Sequence, residues 1–260
     1  MNLHEAIILG AVQGLTEFLP ISSSAHLQFV PWLFGWANPS LSYDAALHLG
    51  TALAVLIFFF KEIYALAVSN RKLAGWLILS NLPAVFIGYF AQDTIEANFH
   101  QSTFGIPFMA TGLILFGLII YFVDKHAQSD LPAEKLNLKQ YLLLGVAQSL
   151  ALIPGVSRSG ITITAGRALR LSREEATRVS FLLGIPITFG ASLHGVLKVI
   201  TAPVPAEPVQ ILVVGTLSSF LVGMLAIKWL LAYVRNHPLA IFSWYRLILG
   251  TSILLLWASR

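Results

Sequence analysis

The sequence predicts an all-α polytopic membrane protein arranged as an inverted-topology repeat, each unit made of one re-entrant helical hairpin and three spanning helices. Three observations lead there. First, 57% of the 260 residues are hydrophobic and only 11% are charged, against the roughly 25% charged of soluble domains. Second, apolar stretches recur from end to end near the length of about 20 residues that a helix needs to cross ~30 Å of hydrocarbon. Third, two regions break that pattern with polar residues and resemble each other.

The spanning stretches are residues 43–60, 75–91, 104–123, 177–200, 209–233 and 239–257, six crossings in all. The first exceptional region covers residues 3–36 and is broken at Leu19-Pro20 and the serines that follow. The second covers residues 140–169 and is broken at Pro154-Gly155. Each leaves two arms of about a dozen residues, roughly 18 Å as helix, too short to span. Half-length helices meeting at a break suggest re-entrant hairpins, whose tips are tolerated only when buried in protein or lining a wet cavity.

An offset of 135 residues sets Gly10 on Gly145, Gln13 on Gln148, Leu15 on Leu150, Ser22 on Ser157 and Ser24 on Ser159. Three spans follow each hairpin, so the chain divides into a unit over 1–123, a charged linker over 124–139 and a second unit over 140–260 within one membrane domain. Three is odd, so the second unit runs upside down relative to the first, as in many transport folds with a site near the midplane.

The net charge of +4 reflects loop bases obeying the positive-inside rule rather than affinity for nucleic acid. One side receives most of them, from Lys61, Arg71 and Lys72 through Lys125, Lys135 and Lys139 to Arg167, Arg170, Arg173, Arg178 and Arg235. The other receives Asp93, Glu96, His100 and Glu207, with Lys198 and Arg260 as its few bases. The basic side is therefore expected to be cytoplasmic. Residues 1–5 lack the positive segment of a signal peptide, and the absence of cysteine excludes disulfide and thiol chemistry.

QGLTEFLPISSSAH (residues 13–26) carries the first set of chemistry-bearing residues. Gln13 and Glu17 lie four apart on one helical face, where Gln13 serves either packing or a ligand. A carboxylate at membrane depth costs about 2.5–3.5 kcal/mol on insertion scales and is functional unless paired. Ser22, Ser23 and Ser24 follow the proline, where serine is also a preferred helix cap. His26, three residues beyond Ser23, could remove its proton to activate a nucleophile. PGVSRSGIT (residues 154–162) puts Ser157, Ser159, Gly160 and Thr162 around a new helix N-terminus suited to an anion, and Arg158 adds a guanidinium able to grip a phosphate or to pair with Glu17. Asp44 and His48 share a helical face, either supporting the first hairpin or forming an ordinary interfacial pair. Trp32, Trp36, Trp76, Trp244 and Tyr245 fit an aromatic belt.

Together the two motifs resemble the undecaprenyl-diphosphate phosphatase family, the bacitracin-resistance proteins of bacterial inner membranes, over essentially the whole chain. The resemblance implies hydrolysis of a polyprenyl diphosphate lipid to its monophosphate, recycling the carrier of cell-wall glycans. It implies catalytic roles for Glu17, Ser23, His26 and Arg158, with Gln13 standing where many members have an acid. Substrate contacts are expected from Gln13, Ser22, Ser24, Ser157, Ser159, Gly160 and Thr162. Glu17 is expected to bind a divalent cation, Mg²⁺ or Ca²⁺, or else to orient His26 and water. Ser23 as nucleophile competes with direct attack by water, and the enzyme reading competes with a carrier for a phosphate-bearing lipid or small anion. A homodimer and a site opening to the periplasmic or external side complete the expectations.

Overall fold

A computed structural model of the chain describes residues 1–95, 105–201 and 207–259. Its regular structure, among the described residues, is helical throughout. Six stretches are long and apolar enough to cross a membrane: Leu41–Phe58, Arg71–Phe90, Gly105–His126, Arg173–Gly195, Val209–Asn236 and Ala240–Ala258. Each overlaps one stretch expected from hydropathy, so the chain is a multi-pass membrane protein. Glu96, His100 and Arg260 lie outside the described residues, as do the side chains of Asp93 and Lys198.

The polar interruptions become breaks between short helices. α1 (Leu3–Phe18) and α2 (Ser23–Phe34) form the first hairpin, followed by α3 (Leu41–Phe58), α4 (Phe60–Ser69), α5 (Arg71–Leu79), α6 (Leu82–Ile95) and α7 (Gly105–His126). α8 (Leu138–Ser149) and α9 (Arg158–Ala168) form the second, followed by α10 (Arg173–Thr201), α11 (Val209–Asn236) and α12 (Ala240–Ala258). The second span is interrupted at Ser80 and Asn81, where Asn81 Nδ2 donates to the Leu77 carbonyl at 2.8 Å.

Both hairpins start in the same way. Asn2 Oδ1 accepts from the Glu5 amide at 2.9 Å while Glu5 Oε2 accepts from the Asn2 amide at 3.0 Å. Asn137 and Gln140 repeat that reciprocal pair at 3.0 and 2.9 Å. Each pair satisfies two amides that a helix N-terminus leaves open.

Hydroxyls join the long helices, as expected where lipid supplies no hydrophobic drive for helix association. Ser218 Oγ of α11 donates to the Ile7 carbonyl of α1 at 2.8 Å, and Ser219 Oγ to Leu47 of α3 at 2.9 Å. Apolar packing around Phe18, Phe59 and Phe181 fills the space beside the first tip, with the Phe18 and Phe181 rings 5.4 Å apart edge to face.

At one end, ion pairs gather the basic loops. Asp124, 4% exposed, accepts from Arg167 Nε at 2.9 Å, from Arg173 Nε at 2.8 and 3.0 Å, and from the Leu239 amide at 2.9 Å. Arg178 pairs with Glu62 at 2.6 Å and Arg235 with Glu174 at 2.8 Å. Asp124 ties α7, α9, α10 and the start of α12 into one knot. Replacing it with alanine leaves the buried Arg167 uncompensated. Asp124→Ala is expected to cost about 3–5 kcal/mol, measured as a lowered unfolding midpoint of the detergent-solubilised protein.

Candidate active site

The first tip is a sharp reversal. α1 stops before Leu19-Pro20, because proline is restrictive both for its own φ and for the residue before it. Ser22 then adopts φ 75°, a backbone region that costs a non-glycine residue on the order of 1–3 kcal/mol. The reversal starts α2 at Ser23 and returns that hydroxyl toward α1. Ser23 Oγ donates to Glu17 Oε2 at 2.7 Å, and Gln13 Nε2 reaches the same oxygen at 3.2 Å from one turn below.

The second tip uses the same geometry. A 3₁₀ turn over Leu150–Leu152 ends α8, Gly155 takes φ 88°, and Ser157 takes φ 73° immediately before α9. Gly155 is required twice, by its left-handed φ and by the Met109 carbonyl packed where a Cβ would stand. Ser157 Oγ accepts from the Gly160 amide at 3.1 Å and caps α9. Arg158 Nη2 donates to Glu17 Oε1 at 2.8 Å. Gly184 of α10 leaves the space that the Arg158 guanidinium fills. Ser159 Oγ donates to the Leu19 carbonyl at 3.1 Å, joining the tips directly.

Ser23 and Arg158 therefore stand on the two oxygens of one carboxylate. That carboxylate is only 8% exposed, and its partners open onto a cavity of about 510 Å³. Ser22, Ser24, Ser157, Asp44 and His48 complete its polar end, while Ala84, Ala151, Leu152, Ile187 and Ala191 form apolar walls. His48 Nδ1 faces two acceptors of Asp44, the carbonyl at 2.9 Å and Oδ2 at 3.5 Å, so Nδ1 carries the hydrogen. Its Nε2 points to Glu17 Oε2 at 3.9 Å. A second cavity of about 850 Å³, bordered by Trp32 and Trp36, meets the first at Ser24, Leu41, Asp44 and His48. The arrangement can present a hydroxyl and a guanidinium to one phosphate.

Several expected neighbours stand elsewhere. His26 does not pair with Ser23: its Nδ1 donates to the Ser22 carbonyl at 2.7 Å and its Nε2 accepts from Tyr245 Oη at 2.6 Å. The helix places the imidazole one turn above that carbonyl, and both nitrogens are consumed there. Tyr245 thus serves as the partner of His26. Gln13 is fully buried behind Glu17 and does not line the cavity. Ser159 is turned to Leu19, and the Gly160 amide is taken by Ser157. Thr162 Oγ1 lies 2.6 Å from Ser180 Oγ and donates to the Arg158 carbonyl at 2.7 Å. Ser22 precedes α2 without capping it through its side chain. Gln148, Thr188, Ser192 and His194 also line the cavity; polar residues within the apolar span of α10 were the available signal for the last three. Gln148 and Gln13, 135 residues apart, are both buried, and Oε1 of each lacks a partner.

Comparison with known proteins matches residues 6–252 to the family described as bacitracin resistance protein BacA. A protein of Pelotomaculum thermopropionicum named undecaprenyl-diphosphatase is 42% identical over 268 residues, covering 100% of this chain and 98% of its own. Proteins of the same name from Thermomicrobium roseum and Geobacter metallireducens are 42% and 41% identical, each covering 98% of both chains. With near-complete coverage on both sides, this chain belongs to the bacitracin resistance protein BacA family.

Proposed function

We propose that the protein is a membrane phosphatase that hydrolyses undecaprenyl diphosphate to the monophosphate and inorganic phosphate, recycling a lipid carrier of cell-wall synthesis. Family membership and the names of the relatives support this activity. The observation that carries the chemistry is the single carboxylate of Glu17 shared by Ser23 and Arg158 at the polar end of an apolar-walled cavity. A hydroxyl hydrogen-bonded to a carboxylate is the pairing that nucleophilic catalysis requires and that binding an anion for transport does not.

In the resting state Arg158 neutralises Glu17. An incoming diphosphate competes for the guanidinium, which can take two phosphate oxygens and offset charge as the phosphoryl group transfers. Glu17 Oε2 remains on Ser23. Ser23 Oγ attacks the terminal phosphorus, its proton passes to Glu17, and the bond from phosphorus to the bridging oxygen breaks. Glu17 then returns the proton to the departing undecaprenyl phosphate. Water attacks the phosphoserine with Glu17 again accepting a proton, the Ser23 Oγ–phosphorus bond breaks, Glu17 returns that proton to Ser23 Oγ, and phosphate leaves. This scheme moves the base role expected of His26 to Glu17.

Mg²⁺ or Ca²⁺ is part of the proposal. Among the described residues no group of three His, Asp or Glu side chains is arranged to hold a metal alone. One or two carboxylates completed by substrate phosphates is, however, a usual way for Mg²⁺ to be held. Glu17 fits that pattern, with Asp44 on the same cavity and Oε1 released when Arg158 turns to phosphate. Such an ion would neutralise charge on the diphosphate oxygens.

The fold is proposed to be an inverted repeat with units over 1–123 and 140–260, whose hairpins re-enter from opposite sides. Its support is the recurrence, 135 residues apart, of the Asn2 and Asn137 caps, the positive-φ Ser22 and Ser157, and the Oγ–Oγ contacts of Ser22 with Ser24 and Ser157 with Ser159, both 3.2 Å. The basic end is proposed to face the cytoplasm of the inner membrane, with the site opening outward.

Ser23→Ala is expected to lower kcat for phosphate release by roughly 10³-fold or more, and acid quenching of the wild type with labelled substrate should trap phosphoserine at Ser23. Near-normal turnover of Ser23→Ala would rule out the covalent route. For Arg158→Ala the expected loss is about 10²–10³-fold, and phosphate released at the wild-type rate would remove the guanidinium from the mechanism. Stringent chelation should suppress turnover, with recovery on adding Mg²⁺ or Ca²⁺; unchanged turnover in metal-free protein would dismiss the cation.

A further inference from the structure

Arg246 of α12 is fully buried, and the hydrogen bonds of its guanidinium all run to backbone carbonyls. Nε donates to Leu113 at 3.1 Å, Nη1 to Pro20 at 3.2 Å and Val156 at 3.0 Å, and Nη2 to Gly112 at 3.4 Å and Gly155 at 2.7 Å. Five donors meet five acceptors, which is the full capacity of the side chain. Leu113 and Gly112 belong to α7. Pro20 lies in the first tip, two residues before Ser22, while Gly155 and Val156 lie in the second, immediately before Ser157.

A guanidinium without a carboxylate is an expensive object to bury, so its position needs a compensating use. Non-helical tips at membrane depth expose carbonyls that lipid cannot satisfy, and both tips contain a serine in a backbone region that persists only when its surroundings over-determine it. Arg246 supplies that constraint to both tips from one rigid, planar group. The space it occupies is kept open by Gly160, where a Cβ would stand 3.2 Å from Nη1.

We infer that Arg246 is the positioning residue of the two-tip site: it holds the Pro20, Gly155 and Val156 carbonyls on one guanidinium, and so sets Ser23 and Arg158 in register on Glu17. Its hydrogen bonds go to the backbone and to neither of those side chains, so it acts through the backbone. Lysine cannot substitute, because an ammonium has three donors and no planar fork. The catalytic arm of the inference rests on the phosphatase reading, whereas the constraint on the tips does not.

The test uses the full-length protein in detergent, comparing wild type with Arg246→Lys by turnover of a polyprenyl diphosphate, thermal midpoint and backbone amide exchange. Arg246→Lys is expected to lose roughly 10²-fold in kcat through misplacement, with KM changed less than about threefold and a cooperative unfolding transition retained. Amide exchange is expected to accelerate about tenfold or more in both 19–24 and 153–158, leaving 41–58 and 209–236 as in the wild type. In Arg246→Ala, added guanidinium should restore slow exchange at both tips and part of the turnover, while methylammonium should not. Exchange unchanged at the tips, accelerated at only one of them, or accelerated throughout the protein would overturn the inference. So would loss of folding in both variants without recovery in guanidinium, since Arg246 would then be a general folding residue. If the wild type released no phosphate while the exchange pattern held, the phosphatase reading would fall and the assignment of Arg246 to the tips would stand.

Discussion

A helix that breaks off inside a packed bundle leaves backbone groups that only the protein can satisfy, and this chain breaks twice, between α1 and α2 and between α8 and α9. The two breaks are stabilised against each other. Ser159 of the second tip donates to Leu19 of the first, Arg158 of the second pairs with Glu17 of the first, and Arg246 binds carbonyls of both. Neither tip is satisfied alone. The proposed chemistry occurs where the breaks meet because the requirement for backbone pairing brings them there.

Charge follows from the same constraint. Glu17 would be prohibitive in hydrocarbon if isolated, but Arg158 at 2.8 Å offsets it and Ser23 at 2.7 Å adds a hydrogen bond. In the proposed mechanism, a phosphate that draws Arg158 away leaves the carboxylate electron-rich beside the hydroxyl that loses a proton. On that proposal, the Arg158–Glu17 ion pair both offsets the buried charge and makes the site responsive to an anion. Asp124 provides a contrast, where Arg167 and Arg173 both grip one acid in a knot that joins helices.

Much of this was legible in the residues. Hydropathy located the spans, because burial in lipid leaves a continuous apolar record. Leu19-Pro20 and Pro154-Gly155 marked the breaks, since proline and glycine act on their own backbone. The 135-residue offset paired Ser22 with Ser157, and the two share their unusual φ. His26 pairs away from Ser23 for a physical reason: a spacing of three residues places it on the same helical face as Ser23 but says nothing of Tyr245, 219 residues away, which takes its Nε2. Gly160 and Thr162 likewise bond within the protein, since a motif shows which groups cluster but not which of them satisfy one another first.

Composition, period and local breaks were determined by the sequence itself: a six-span helical membrane protein, two interrupted hairpins, and an acid, serines and an arginine at their tips. These are properties of short segments, in which each residue acts on its neighbours or on the solvent. Only the tertiary structure decided that Ser23 and Arg158 share the carboxylate of Glu17, that His48 rather than His26 faces it, and that Arg246 holds both tips. Arg158 lies 141 positions from Glu17 and Arg246 lies 226 from Pro20, and even the nearer contacts depend on how α1, α3, α7, α9, α10 and α12 pack, which no local pattern encodes.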